Sequence, residues 1–151
     1  MTYNISQSIN KIKMIKVIID KDVPSEVIEN IFVTALEGGS NYWYYLDDAE
    51  IKKVREVVPK DVEECLSVAI FKAVYEHGIT VAVHDKENYN EDEDDNEVLG
   101  ELSMTTMADR LQRLINDGNG WALLLELDEN GDADSSDAIF QYLVMGEVVF
   151  S

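Results

Sequence analysis

Hydrophobic residues fall at helical spacing along several stretches of this chain. Val27, Ile28, Ile31, Phe32, Ala35 and Leu36 repeat at intervals of three and four, Pro24 suits a first helical turn, and Glu26 and Glu29 complement the helix dipole. Gly38 then predicts a left-handed helix stop, and Gly39 a close approach of the backbone to a neighbour. A second helix is expected from a cap at Asp48 to Val57, ahead of Pro59. A third starts at Asp61, turns Val62, Cys65, Leu66, Ala69, Ile70, Ala73 and Val74 to one face, and ends at Gly78 with His77 in its last turn. A fourth, capped by Thr105 or Thr106, turns Met107, Leu111, Leu114 and Ile115 inward and closes at Gly118. A fifth covers about residues 135–145, with Asp134 or Ser135 as its cap and Gly146 as its stop.

Strand patterns lie between these helices. Residues 14–20 are rich in β-branched side chains and predict a first strand, and residues 147–150 predict a last one. Residues 79–84 and 98–103 read as an antiparallel hairpin with a long polar tip. The apolar run 121–127 fits helix or strand equally by periodicity. Helices and strands alternate without a regular βαβ repeat, so the expected class is α+β: a single domain over residues 1–151, with a mostly antiparallel sheet packed against about five helices.

Composition adds limits. A chain of 151 residues that is 46% hydrophobic has the size and apolar content of one domain with a core of its own. No apolar run approaches the roughly 18 residues of a membrane span, and the first residues lack the apolar centre of a signal peptide, so a cytoplasmic protein is expected. The single cysteine, Cys65, has no partner for an internal disulfide and reads as a buried, inert thiol.

Charge is more restrictive. Against 12 basic residues stand 31 acidic ones, a net charge of −19, far beyond the magnitude of about 2–8 usual for a small soluble domain. Such a field repels phosphate and anionic lipid, which argues against direct nucleic-acid or membrane binding and for a basic protein partner. The carboxylates concentrate in two places. Glu87, Glu91, Asp92, Glu93, Asp94, Asp95 and Glu97 crowd the hairpin tip, a flexible, solvated loop over about residues 86–97 with Lys86 as its only cation. In an extended chain, alternate residues of that tip sit about 6.5 Å apart, close to the spacing of successive phosphates on a nucleic-acid strand.

The second acidic concentration spans residues 126–137 and includes Asp128, Glu129, Asp132 and Asp134. Asp128, Asn130, Asp132 and Asp134 alternate as the ligands of a calcium loop do, but Ala133 stands where that loop needs glycine and Ile139 where it needs a bidentate glutamate. The plainer reading is a turn into a helix N-terminus. No metal or cofactor is expected. The only histidines, His77 and His84, sit in no ligand or triad spacing, and no phosphate-cradling glycine loop occurs, so catalysis is not expected either.

After the glycine pair come Asn41 and four aromatics, Tyr42, Trp43, Tyr44 and Tyr45. If extended they alternate, with Tyr42 and Tyr44 on one side and Trp43 and Tyr45 on the other, one pair in the core. The other pair then covers a second layer or forms an exposed recognition patch.

Three segments carry a resemblance. The run from Glu37 to Trp43 (EGGSNYW), the stretch from Leu99 to Leu111, and the C-terminal Asp137, Gln141 and Gly146–Val149 pattern (D-x(3)-Q-x(4)-GEVV) together resemble a family of small proteins encoded by bacteriophages and other mobile elements, over most of residues 23–150. The chain departs from that pattern at Met145, at its end in Phe150-Ser151, and in its unusually acidic tip. The resemblance implies a mobile-element origin and brings no activity with it. Small, very acidic phage proteins are often decoys that inhibit host defence nucleases. The function expected on those grounds is a non-enzymatic inhibitor of a CRISPR effector or restriction enzyme, with both acidic concentrations supplying the field and residues 42–45 the anchors. The alternatives are a binder of a nucleotide signal or other small molecule, in a pocket of Glu37, Asn41, Trp43, Asp137 and Gln141, and an oligomerising structural protein.

Overall fold

The computed structural model of the chain describes residues 20–151. The strand expected at residues 14–20 therefore lies outside the described residues, apart from Asp20, which belongs to no strand. The first helix, α1 (Ser25–Thr34), follows Pro24 and buries Ile28, Ile31 and Phe32. It does not stop at Gly38. The chain continues through a wider turn, Ala35–Gly39, closed by a bond from the Ser40 amide to the Ala35 carbonyl five residues back, 2.8 Å. Gly38 is not in the left-handed region. Gly39 is the position that requires glycine: a Cβ there would lie 2.8 Å from the Ala133 carbonyl oxygen.

Next come β1 (Tyr44–Tyr45) and α2 (Asp48–Val57), capped by Asp47, not Asp48, whose Oδ1 accepts from the Glu50 amide at 2.9 Å. The third helix, α3 (Leu66–Tyr75), starts later than the apolar pattern suggests. The Arg55 guanidinium donates to the carbonyls of Glu63 (2.6 Å) and Glu64 (2.9 Å), which holds that backbone as a turn after Pro59 and leaves Val62 66% exposed. Cys65 becomes the residue before the helix and is half-buried rather than buried.

The expected hairpin is present as β2 (Val81–Asp85) and β3 (Val98–Leu102), antiparallel with Val81 opposite Leu102 and an irregularity between Val83 and His84. β1 joins the other edge of β2, pairing Tyr44 with Asp85, so the sheet order is β1-β2-β3. Ser103, not Thr105 or Thr106, caps α4 (Met104–Leu114). A second wide turn, Ile115–Asn119, leads to α5 (Gly120–Leu127). Residues 121–127 are therefore helical, as their leucines and alanine favour and as the absence of β-branched residues allows.

The last helix, α6 (Ala133–Met145), is capped by Asp132, not Asp134 or Ser135, through a reciprocal bond pair with Ser135 (2.9 and 2.8 Å). It ends at Gly146, which adopts a left-handed φ of 79°. Its run Ile139, Phe140, Gln141, Tyr142, Leu143 and Val144 is buried on every side, so α6 is the central element, packed by α1, α4, α5 and β3. Phe32 meets Phe71 and Phe140 edge-on at ring distances of 5.7 and 6.0 Å, tying α1, α3 and α6 into one core. Residues 147–150 form no strand; side-chain bonds hold them instead, as described below. The architecture is α+β, with an antiparallel three-stranded sheet on one side of a helical core.

Candidate interaction site

The two sequence patterns at residues 37–43 and 137–150, nearly a hundred residues apart, meet on the Asp137 carboxylate. Its Oδ1 accepts from the Ser40 hydroxyl (2.7 Å) and the Trp43 indole N–H (2.8 Å). Its Oδ2 accepts from the Tyr42 hydroxyl (2.7 Å) and the Gln141 amide (3.2 Å). One helical turn on, Gln141 donates to the Phe150 carbonyl (3.0 Å) and accepts from the Val149 and Phe150 amides (2.9 Å each). This side chain takes the place of the partner strand that residues 147–150 lack. Trp43 is sandwiched against Phe150, nearly parallel at 5.2 Å, with Phe140 at 5.9 Å.

This arrangement is a closed lock. Ser40, Trp43 and Gln141 are each at most 1% exposed, and among the described residues no buried side-chain polar atom lacks a partner. Trp43 is therefore a core residue, and its expected role as a partner anchor is corrected. Of the residues named for the alternative small-molecule pocket, Trp43 and Gln141 both donate to Asp137, and Gln141 is further engaged with the Val149 and Phe150 backbone. Glu37 turns away, accepting from Ser67 (2.9 Å) and Cys65 (3.3 Å), and Asn41 gives its carbonyl to Lys86 (2.8 Å).

Strict alternation of the aromatics also fails, because residues 40–43 form a turn closed by Trp43 and Tyr44 amides on the Ser40 carbonyl and only Tyr44 and Tyr45 are strand. Tyr44 packs on the core beside Trp43 and donates its hydroxyl to the Leu36 carbonyl. Tyr42 is 42% exposed. Partial burial of its hydroxyl, then the hydrogen bond and negative charge of Asp137, push Tyr42 up to about 12, with Asp134 adding to the effect.

Tyr45 leads to the acidic tip. Tyr89, from the tip, folds back onto it at 4.1 Å between ring centroids. Partial desolvation raises the Tyr45 pKa, reinforced by the charges of Glu91, Asp48 and Asp47. The base of the tip is held by His84, a buried residue whose Nδ1 faces the Glu97 carbonyl at 2.9 Å and whose Nε2 faces the Asp47 carboxylate at 3.2 Å. Histidine spacing in the sequence has no signal for this clamp, which depends on sheet pairing. Lys86 ties the other side through its backbone amide on the Trp43 carbonyl (2.8 Å) and its ammonium on Asn41.

The tip is not an extended ladder. Asn90 and Asn96 close it into a compact loop, the Asn96 side chain accepting from the Asn90 amide (2.8 Å) and donating to the carbonyls of Asn90 (2.9 Å) and Glu93 (2.8 Å). Glu87, Glu91, Asp92, Glu93, Asp94, Asp95 and Glu97 are all exposed, and none is in an ion pair among the described residues. The phosphate-like spacing of an extended strand is replaced by a cluster of carboxylates beside Tyr45 and Tyr89.

The second acidic concentration divides. Asp134 lies near Tyr42, and Asp132 is used in the α6 cap. Asp128 is exposed at the end of α5, while Glu129, with a φ of 61°, borders a separate depression with Glu26 and Glu126. Glu126 accepts from the Ser135 and Ser136 hydroxyls (2.8 Å each). Tyr45 and Tyr89 therefore lie together with Glu91 of the tip near both, Asp134 lies near Tyr42, and Glu129 borders a different depression. Among the described residues no group of histidine, cysteine and carboxylate side chains has metal-site geometry, and no helix is long and apolar enough to cross a membrane. Compared with known proteins, the chain matches no family model, no curated protein and no solved structure.

Proposed function

We propose that the protein is a phage or mobile-element inhibitor of a host defence nuclease, a CRISPR effector or a restriction enzyme, and acts without catalysis by occupying the nuclease's basic nucleic-acid-binding groove. The observation that carries this reading is the tip: seven exposed carboxylates, none in an ion pair among the described residues, on a loop pinned to a folded base by His84 and Lys86. A pinned cluster keeps more of its charge in one place on binding than a free tail does, because less chain entropy is lost. The net charge of −19 adds long-range steering toward a basic groove. Tyr45 and Tyr89 provide aromatic surface next to the carboxylates, and Tyr42 is exposed on its own account. The resemblance to mobile-element proteins supplies the biological setting.

Replacing the seven tip carboxylates by Asn or Gln tests it. The thermal midpoint should stay the same or rise as repulsion is relieved, while salt-sensitive recovery of a nuclease from bacterial host lysate, and inhibition of its cleavage, should be lost. Recovery and inhibition that survive neutralisation would exclude the tip from the contact surface.

A further inference from the structure

An apolar groove of about 450 Å³ runs between α4, α5 and the chain entering α1. Met104, Met107, Leu111, Ile115, Leu124 and Leu127 are among its walls. Three of these are large apolar side chains left well exposed, Met104 at 39%, Ile115 at 46% and Leu124 at 57%. Scattered exposed apolar residues are ordinary, but three converging on one groove are not. Leu127 also borders a neighbouring polar depression that includes Glu26, Glu126 and Glu129, and the groove itself is lined by Asp20 and Asp22 beside Lys21. Among the described residues, none of Asp20, Asp22, Glu26 and Glu129 is in an ion pair.

We infer that this groove is a second docking surface, and that its occupant is a basic amphipathic helix of a partner protein. The shape and polarity fit this occupant. Helical walls without a free sheet edge accept a helix laid lengthwise, with apolar anchors at i, i+3 or i+4, and i+7 on the groove floor. Met104 and Met107 are unbranched and adapt to such anchors. Lysine or arginine on the helix flanks then meets Glu26, Glu129, Asp20 and Asp22. A second copy of this chain fits poorly, because each copy carries −19 and repels the other. A small polar ligand fits poorly as well, since apart from the rim charges only Tyr75 and Gln112 among the lining residues offer polar side-chain groups to orient it. The inference does not depend on the tip or on a nuclease target.

The test uses the full chain and a labelled 18-residue helical peptide of leucine and lysine, with a leucine and glutamate peptide of the same pattern as control, read by fluorescence anisotropy. The lysine peptide should bind and the glutamate peptide should not. Leu124→Gln with Ile115→Gln, both at exposed positions, should weaken binding at least tenfold with the thermal midpoint kept. Glu26→Gln with Glu129→Gln should weaken it and flatten its salt dependence. The tip-neutralised variant should bind as the parent does, which separates this surface from the tip. Equal binding of both peptides, binding indifferent to the Leu124 and Ile115 changes, or concentration-dependent self-association abolished by those changes would overturn the inference. So would tighter peptide binding when Lys11, Lys13 and Lys16 are changed to Gln, which would mark the chain's own beginning as the occupant.

Discussion

Removing the Asp137 carboxylate should unlock the C-terminal tail and the aromatic turn together. In Asp137→Ala, the Ser40 hydroxyl (0% exposed) and the Trp43 indole N–H (1% exposed) lose their acceptor. A buried donor left unpaired costs about 1–3 kcal/mol, and hydrogen bonds to an ionised acceptor contribute about 1.5–3 kcal/mol each before neighbours relax. Because both donors share one oxygen their losses are not additive, and the expected destabilisation is about 3–5 kcal/mol. Asp137→Asn keeps the Oδ1 position for Ser40 and Trp43. It turns an amide toward Tyr42, which can reverse its hydroxyl, and toward the Gln141 amide, which cannot reverse without giving up Phe150. The Asn variant should lose less, about 1–2 kcal/mol. Urea unfolding followed by tryptophan fluorescence measures both, and with a slope of about 2 kcal/mol per molar the Ala variant should shift the midpoint by about 1.5–2.5 M. An Ala variant within about 1 kcal/mol of the parent, or no difference between Ala and Asn, would refute the lock as a stabilising device.

The glycine pair separates cleanly. Gly39→Ala should destabilise by about 1–3 kcal/mol, because its Cβ meets the Ala133 carbonyl, whereas Gly38→Ala meets nothing within 4 Å and should be neutral or stabilising by up to about 1 kcal/mol; equal thermal midpoints would refute this. Alkaline absorbance titration of the parent minus Tyr42→Phe should isolate a phenol ionising near 12 rather than at the ordinary 10.0. The folded state keeps that proton where the unfolded state has lost it. Tyr42 therefore contributes stability that is present below pH 10 and lost as pH rises through 12, and a difference titration centred near 10 would count against the Asp137 contact.

Local chemistry in the sequence was sufficient for much of this fold. The β2–β3 hairpin, the helical face of α1, and the stops at Gly78, Gly118 and Gly146, all three with positive φ, follow from periodicity and from the freedom of glycine; on α4 Met107, Leu111 and Leu114 face inward as expected, but Ile115, also expected there, begins the wide turn and is 46% exposed. Gly39 as a point of close approach was also legible. Helix starts were less so, because Asp47 and Asp48, or Asp132 and Asp134, offer the same cap chemistry and the geometry of one turn chooses between them. The acidic tip and the aromatic run were visible as candidates from composition alone.

Only tertiary structure decided what those residues do. Trp43 and Tyr42 are adjacent in sequence, yet one is buried and the other exposed, because the Ser40 turn and the Asp137 carboxylate set the direction of each. Residues 147–150 have strand composition and still form no strand, since Gln141 supplies the hydrogen bonds a neighbouring strand would have made. Charge and hydrophobic period are properties of a segment and can be read along the chain. Which donors converge on one carboxylate depends on contacts between segments nearly a hundred residues apart, and those are settled by packing.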